Sequence, residues 1–222
     1  MLKLQNVSVG YGDEAILRSI NLEASPGEVI GILGRNGSGK TTLFRTLSGW
    51  LKPMSGDAYF QGEALNRSQV AFLEAEPSFY RFMKGSEYLE LINGGKDRLA
   101  EWGQALDLPL DRFADEYSTG MKKKLAVAGT FIQERPIMLL DEPFTGVDLE
   151  SNEKIYAIIQ HYAKDRVVLL SSHLLATLTE IADRIVWLDN GEIKEVYDKG
   201  SFDALKASFR ESAIRGLDGL LG

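Results

Sequence analysis

The stretch Gly34-Arg35-Asn36-Gly37-Ser38-Gly39-Lys40-Thr41-Thr42 constrains this chain more than any other. It matches G-x-x-x-x-G-K-[ST]. The residues before it, Val29-Ile30-Gly31-Ile32-Leu33, read as a short buried strand, and Leu43-Phe44-Arg45-Thr46-Leu47 open a helical pattern after it. Strand, glycine loop and helix are the context this motif needs. A triphosphate is a dense anion, so backbone N–H groups must converge on it. Gly34, Gly37 and Gly39 permit the dihedrals and the close approach that side chains would block. The helix start adds unpaired N–H groups and a positive dipole end. Lys40 is placed to reach the β- and γ-phosphates, and the Thr41 hydroxyl to ligate Mg²⁺.

The bulk properties set bounds. A chain of 222 residues suits one large domain or a domain with subdomains, and 44% hydrophobic residues support a sizeable core. No apolar run approaches the ~18 residues of a bilayer span. Met1-Leu2-Lys3-Leu4-Gln5 lacks a secretory core, and no cysteine is present for disulfides or thiolate metal sites. These features point to a cytosolic location. A net charge of −7 argues against a general nucleic-acid binder.

Along the chain, Leu2, Leu4 and Val7 suggest a half-buried first strand, with Tyr11 in the turn Gly10-Tyr11-Gly12-Asp13. An aromatic beside glycines suits stacking on a base and equally suits a surface turn. Ile20, Leu22 and Ala24 alternate with polar residues, as a strand does. Pro53 and Gly56 break the helix that follows the glycine loop, and Ala58-Tyr59-Phe60 reads as a short strand. From Glu74 to Gln133 the β-branched runs vanish and helical patterns take over. Ser86 caps a helix through Leu91, Gly94-Gly95 interrupts it, and Arg98–Leu106 follows. A third helix runs from Lys122 toward Glu134, before Pro136. Lys122-Lys123-Lys124 reads as a solvated helix face. The expected organisation is an α/β core, 1–73 and 134–222, with a helical subdomain, 74–133, inserted into it.

The core resumes with the apolar run Ile137-Met138-Leu139-Leu140, which ends in Asp141-Glu142-Pro143. A strand of this kind delivers both acids to the C-terminal edge of a sheet, where α/β proteins bind ligands. Asp141 would support the Mg²⁺ beside Thr41, and Glu142 would polarise an attacking water. Asp148 caps a helix from Leu149 to Ala163. Val167-Val168-Leu169-Leu170 is another buried strand, ending in Ser171-Ser172-His173, so His173 reaches the same edge and can donate to a γ-phosphate. His161 reads as a surface residue. Asn190-Gly191 is a strong hairpin signal. The tail from Ser201 is amphipathic and then glycine-interrupted.

This ordered set resembles the ATP-binding cassette (ABC) transporter ATPase family over nearly the whole chain. Gly34 to Thr42 match the Walker A loop and Ile137 to Glu142 match Walker B. Thr145-Gly146-Val147-Asp148 is similar to the D-loop, and His173 to the switch histidine. Ser118-Thr119-Gly120-Met121 stands where the family has its signature, and Tyr11 where it has an aromatic that stacks on adenine. The resemblance implies a P-loop NTPase (RecA-like) core with an N-terminal antiparallel β subdomain and the inserted helical subdomain. It implies ATP and Mg²⁺ as cofactors and two copies, expected to be a homodimer, meeting head to tail around ATP. In that arrangement Ser118 and Gly120 of one copy cap the γ-phosphate held by the other. The expected partner is a transmembrane permease on a separate chain, which would hold the cassette against the inner face of the membrane.

Two departures stand out. The signature carries Thr119 for its first glycine, with Tyr117 and Met121 flanking. The S-x-G-M form resembles exporters with a separate membrane subunit. Second, Ala75 falls where the family has a Mg²⁺-ligating Gln after a short strand, here Val70-Ala71-Phe72-Leu73. Glu74 or Glu76 is one replacement, since carboxylates ligate Mg²⁺ well, and water is the other. Phe79, Tyr80 and Phe82 suit either a groove for the permease or ordinary packing. Two other functions remain to be weighed against the transport subunit: a soluble cassette acting on ribosomes or DNA, and a nucleotide-gated module with little turnover.

Overall fold

The computed structural model describes residues 1–12, 14–93 and 98–214. Asp13, the Gly94-Gly95 interruption and the glycine-rich tail beyond residue 214 lie outside the described residues.

Two sheets organise the chain. The first is antiparallel and contains β1 (Leu2–Tyr11), β2 (Glu14–Ala24), β4 (Ser55–Phe60) and β5 (Glu63–Ala64), in the order β2-β1-β4-β5. Tyr11 closes β1 by pairing with Glu14, so the strand runs into the stretch expected as a turn. Gly56 does not break a helix but lies inside β4, with φ +77°. A side chain there would run into the Gln5 and Asn6 backbone, where the pairing with β1 shifts register.

The second sheet is built on β3 (Glu28–Leu33), β6 (Val70–Leu73), β7 (Ile137–Asp141), β8 (Val167–Ser172), β9 (Arg184–Asp189) and β10 (Glu192–Asp198). Its order is β10-β9-β3-β8-β7-β6, parallel throughout except for the β9–β10 hairpin. Asn190 and Gly191 turn that hairpin, both with positive φ. The central strands are buried on both faces, which is why they read as unbroken apolar runs. Along β7, Met138 and Leu140 join the core under the helices, while Ile137 and Leu139 join the core shared with the antiparallel sheet.

Helix α1 (Lys40–Leu47) fills the space between the sheets with Leu43, Phe44 and Leu47. Residues 74–133 carry α2 (Gly85–Asn93), α3 (Leu99–Ala105) and α4 (Thr119–Phe131). Helix α5 (Leu149–Ala163), α6 (Leu175–Ile181) and α7 (Phe202–Ile214) complete the chain.

Ser86 does not cap α2; it sits inside the first turn and its N–H donates to the Leu110 carbonyl at 3.0 Å. Helix α4 begins at Thr119 rather than Lys122, because Ser118 Oγ accepts from the Met121 N–H at 3.3 Å and sets the start. Nor do the three lysines form a solvated face. Lys123 is 2% and Lys124 8% exposed, since the helix is packed between β6 and α5 and turns those two residues inward.

Candidate functional site

The C-terminal ends of β3, β7 and β8 lie side by side, and the loop from Gly34 to Gly39 leaves β3 there. Gly34 has no room for a side chain: a Cβ would fall within 2.5 Å of the Leu188 carbonyl oxygen and closer still to Ser38 Oγ. Gly39 caps α1 with φ +108°, and a Cβ there would meet Leu17 Cδ2 at 2.5 Å. The loop is therefore pressed onto both sheets and cannot spread.

Around it is a cleft of about 340 Å³, walled by Asn36, Gly37, Ser38, Gly39, Lys40, Thr41 and Thr42 on one side and by Asp141 and Glu142 on the other. Ile16 and Ala75 complete the wall. Lys40 Nζ is folded inward and donates to the carbonyls of Gly34 (2.7 Å) and Arg35 (3.2 Å). Burial pulls the Lys40 ammonium below its ordinary pKa, while the charges of Glu142 and Asp141 oppose the shift. Ser38 Oγ is buried here with no hydrogen-bond partner among the described residues. An inward-turned ammonium, an unpaired hydroxyl and a glycine backbone make a cradle for an anion.

Thr41 Oγ1 donates to Asp141 Oδ2 at 2.6 Å, and Ser171 Oγ donates to Asp141 Oδ1. Ser171 Oγ also accepts from the Glu142 N–H at 3.2 Å. Glu142 holds φ +48°, uncommon for a residue with a side chain. Its carboxylate is gripped on both oxygens. Oε1 accepts from the His173 N–H (3.0 Å) and shares a hydrogen bond with His173 Nδ1 (2.9 Å), and Oε2 accepts from Thr145 Oγ1 (3.2 Å). Among the described residues no group of three or more His, Cys, Asp or Glu forms a metal site. Thr41 and Asp141 are hard oxygen donors beside the anion cradle. Mg²⁺ bound through one carboxylate and substrate phosphates needs no more from the protein, so the donor set fits it.

Not every candidate enters this cleft. Tyr11 stands at the end of β1, 54% exposed. Ser118, Gly120 and Asp148 do not line the cleft. Gly120 faces the turn at Gly146 and Val147 instead. Gly120 packs so close to the Gly146 carbonyl that a Cβ would lie 3.0 Å from it, and Asp148 caps α5 through the Ser151 N–H at 2.9 Å. Glu74 is not at the position of a metal ligand. It faces Arg45 Nη2 at 3.9 Å and lines a different cleft, while Ala75 faces the phosphate cleft. Glu76 does not line the phosphate cleft either. The other cleft holds about 570 Å³ and is lined by Trp50, Phe72, Glu74, Pro77, Tyr88 and Ile92 among others. Beside it Phe79 packs edge-on against Tyr88 at 4.8 Å, whereas Tyr80 and Phe82 are 74% and 73% exposed.

Sequence reasoning gives no site role to Ser171 or Ile16, and it foresees neither the bond of Thr145 to Glu142 nor the inward turn of Lys123. Ser171 stands two residues before His173, but its partners Asp141 and Glu142 are 30 and 29 residues away in the chain.

A glycine loop between a parallel strand and its helix, with a strand-end acid hydrogen-bonded to the loop's threonine, defines a P-loop nucleotide-binding protein. More narrowly, the chain belongs to the ABC transporter family, whose model matches residues 17–145. It is an ABC ATPase domain, the ATP-binding subunit of such a transporter. It is 33% identical over 215 residues to the cobalt import ATP-binding protein CbiO of Salmonella typhi, covering 87% of this chain and 79% of that one. It is 27% identical over 207 residues to the lantibiotic transport ATP-binding protein SrtF of Streptococcus pyogenes, covering 87% and 89%. A solved ATP-binding subunit of an ABC transporter superposes with a TM-score of 0.84 at 27% identity, over 97% of this chain and 95% of that one. The fold is thus the P-loop core with an antiparallel β subdomain that the motifs imply.

Proposed function

We propose that this chain drives an exporter by binding and hydrolysing Mg²⁺–ATP between two copies of itself. The observation that carries the reading is the pairing of Glu142, a wall of the phosphate cleft, with His173, while Ser118 and Gly120 do not line that cleft. One chain supplies a phosphate cradle, a base and a histidine. It does not bring its own signature serine to them, so the γ-phosphate is capped from a second copy.

In this reading the Gly34–Gly39 backbone and Lys40 hold the β- and γ-phosphates, and Arg35, Asn36 and Thr42 complete the loop. Thr41 and Asp141 would hold Mg²⁺, which would neutralise charge on the phosphate oxygens. Tyr11 stacks on the adenine. Glu142 takes a proton from water as the water oxygen bonds to the γ-phosphorus and the bond to the β-phosphate oxygen breaks, leaving ADP and phosphate, and His173 releases its hold on Glu142 to steady the γ-phosphate. Asp148, fixed at the start of α5, faces the second copy with the rest of the D-loop. The domain acts as one cassette, with 74–133 as the subdomain that meets a separate permease. The cleft beside Phe79, with Tyr80 and Phe82 outward, suits an amphipathic permease helix. One relative is named for import and another for transport with no direction, so the direction rests on Ser118-Thr119-Gly120-Met121. Such a complex would sit at the inner face of the membrane.

Glu142→Gln tests the core of the reading. It should abolish turnover and yield an ATP-dependent dimer by light scattering. A Glu142→Gln chain that binds ATP yet stays monomeric at every concentration would sink it. Detergent-solubilised membranes should yield a polytopic partner; ribosomes or DNA in its place would favour a non-transport cassette.

A further inference from the structure

Lys123 is buried, charged and five residues past the signature serine, and the site as described leaves it without a task. Its ammonium reaches out of α4 to the segment after β6. There Nζ donates to the carbonyl of Ala75 and, at 3.4 Å, to that of Glu74. Burial draws this ammonium below its ordinary pKa, and the fields of Asp141, Glu142 and Glu76 draw it back. It therefore stands close enough to the two acids of the phosphate cleft to feel both. Its neighbour Lys124 lies within the field of Asp148. The first turns of α4 thus touch the 74–76 segment through Lys123 and the D-loop through Gly120 and Gly146.

We propose that Lys123 is a positioning residue that clamps the backbone of Glu74 and Ala75 to the signature helix. The seating of Ser118 on a second copy's nucleotide and the shape of this copy's own phosphate cleft then move together. The proposal deepens the function proposed above and rests on it. Ala75 lines the cleft but brings no polar side chain, so a side-chain link between this segment and the nucleotide is lacking. The carbonyl of Ala75 remains, and a long cation from α4 is what holds it. The role is one of placement: Lys123 bonds to the protein backbone, not to the reacting atoms.

The test is steady-state ATPase and equilibrium ATP binding on the full chain. Lys123→Met keeps the length and removes the donors. It should lower kcat at least tenfold while the ATP dissociation constant of the single chain moves less than twofold. Lys123→Arg, which keeps charge and donors, should recover at least a third of the rate. Adding Ala75→Gln should raise kcat more in the Lys123→Met background than in the wild type, because it offers the segment a second polar link. Melting curves monitor folding. If Lys123→Met does not fold, Lys123→Gln takes its place in the same cycle. Unchanged kcat in a folded neutral variant overturns the clamp. So does a loss that neither Lys123→Arg nor Ala75→Gln relieves. Failure of the underlying reading looks different, because the wild type itself would then neither bind nor hydrolyse ATP.

Discussion

Ser171→Ala removes one oxygen from the floor of the site and leaves two polar partners without a bond. Ser171 is fully buried at the end of β8. Its hydroxyl donates to Asp141 Oδ1 and accepts from the Glu142 N–H at 3.2 Å. A hydrogen bond to a charged group contributes about 1.5–3 kcal/mol and a neutral one about 0.5–1.5 kcal/mol, and alanine leaves both partners unmet. Because alanine retains the Cβ, little of the loss comes from packing. The expected destabilisation is therefore about 2–4 kcal/mol. With a urea slope of about 2 kcal/mol/M, the unfolding midpoint should fall by about 1–2 M.

The catalytic consequence should be larger than the location suggests. Asp141 would lose the donor that turns one oxygen away from Thr41. Glu142, held at φ +48°, would lose the only side-chain acceptor its N–H has among the described residues. Loss of such supporting partners typically lowers metal affinity or activity by about 10–100-fold. Urea titration and ATPase measured across a Mg²⁺ series are the assays. A Ser171→Ala chain within about 0.5 kcal/mol of wild type, with an unshifted Mg²⁺ curve, would refute the reasoning from these bonds.

Two further outcomes follow from the same geometry. Gly34→Ala places a methyl group within 2.5 Å of the Leu188 carbonyl, a backbone atom that cannot step aside. Overpacking of this kind costs about 1–3 kcal/mol, so the variant should melt lower and lose ATP binding, and unchanged values of both would contradict the packing. Burial, helped by the charge of Glu74, pushes the Tyr88 phenol up to about 12. An unfolded tyrosine ionises near pH ~10, so this contribution to stability is full below that pH and is lost as pH rises toward about 12. Tyr88→Phe should flatten that alkaline limb of the stability curve; an identical limb in the variant would rule the assignment out.

The parts of the site that could be read from the sequence are those set by neighbours in the chain. The glycine loop is one, since strand, loop and helix are contiguous. Asp141 and Glu142 are another, because the apolar run before them states where the strand ends. Asp148 is a third: a capping acid sits directly before its helix, and α5 begins at Leu149. The Asn190-Gly191 hairpin belongs with them. What escaped were properties fixed by distant contacts. Lys122-Lys123-Lys124 has the composition of a solvated face, yet carbonyls 48 and 49 residues upstream and the packing of α4 draw Lys123 inward. The start of α4 at Thr119 is hard to read from the sequence because Thr119 and Gly120 are weak helix formers, yet the Ser118 cap outweighs them.

Ala75 shows why such contacts matter more than the motif around them. A site that places its link to a neighbouring segment on a side chain loses that link with a single substitution. A site that places it on a carbonyl does not, because every residue carries one. With Lys123 as the donor, the identities of residues 74 and 75 become free to drift, and the constraint moves to position 123. Alanine at 75 is then no sign of a failed enzyme. It follows that Glu74→Ala, which leaves the carbonyl in place, should disturb turnover far less than Lys123→Met, although Glu74 stands beside the expected metal position in the sequence. A larger loss from Glu74→Ala would mean that the side chain, not the backbone, carries the connection.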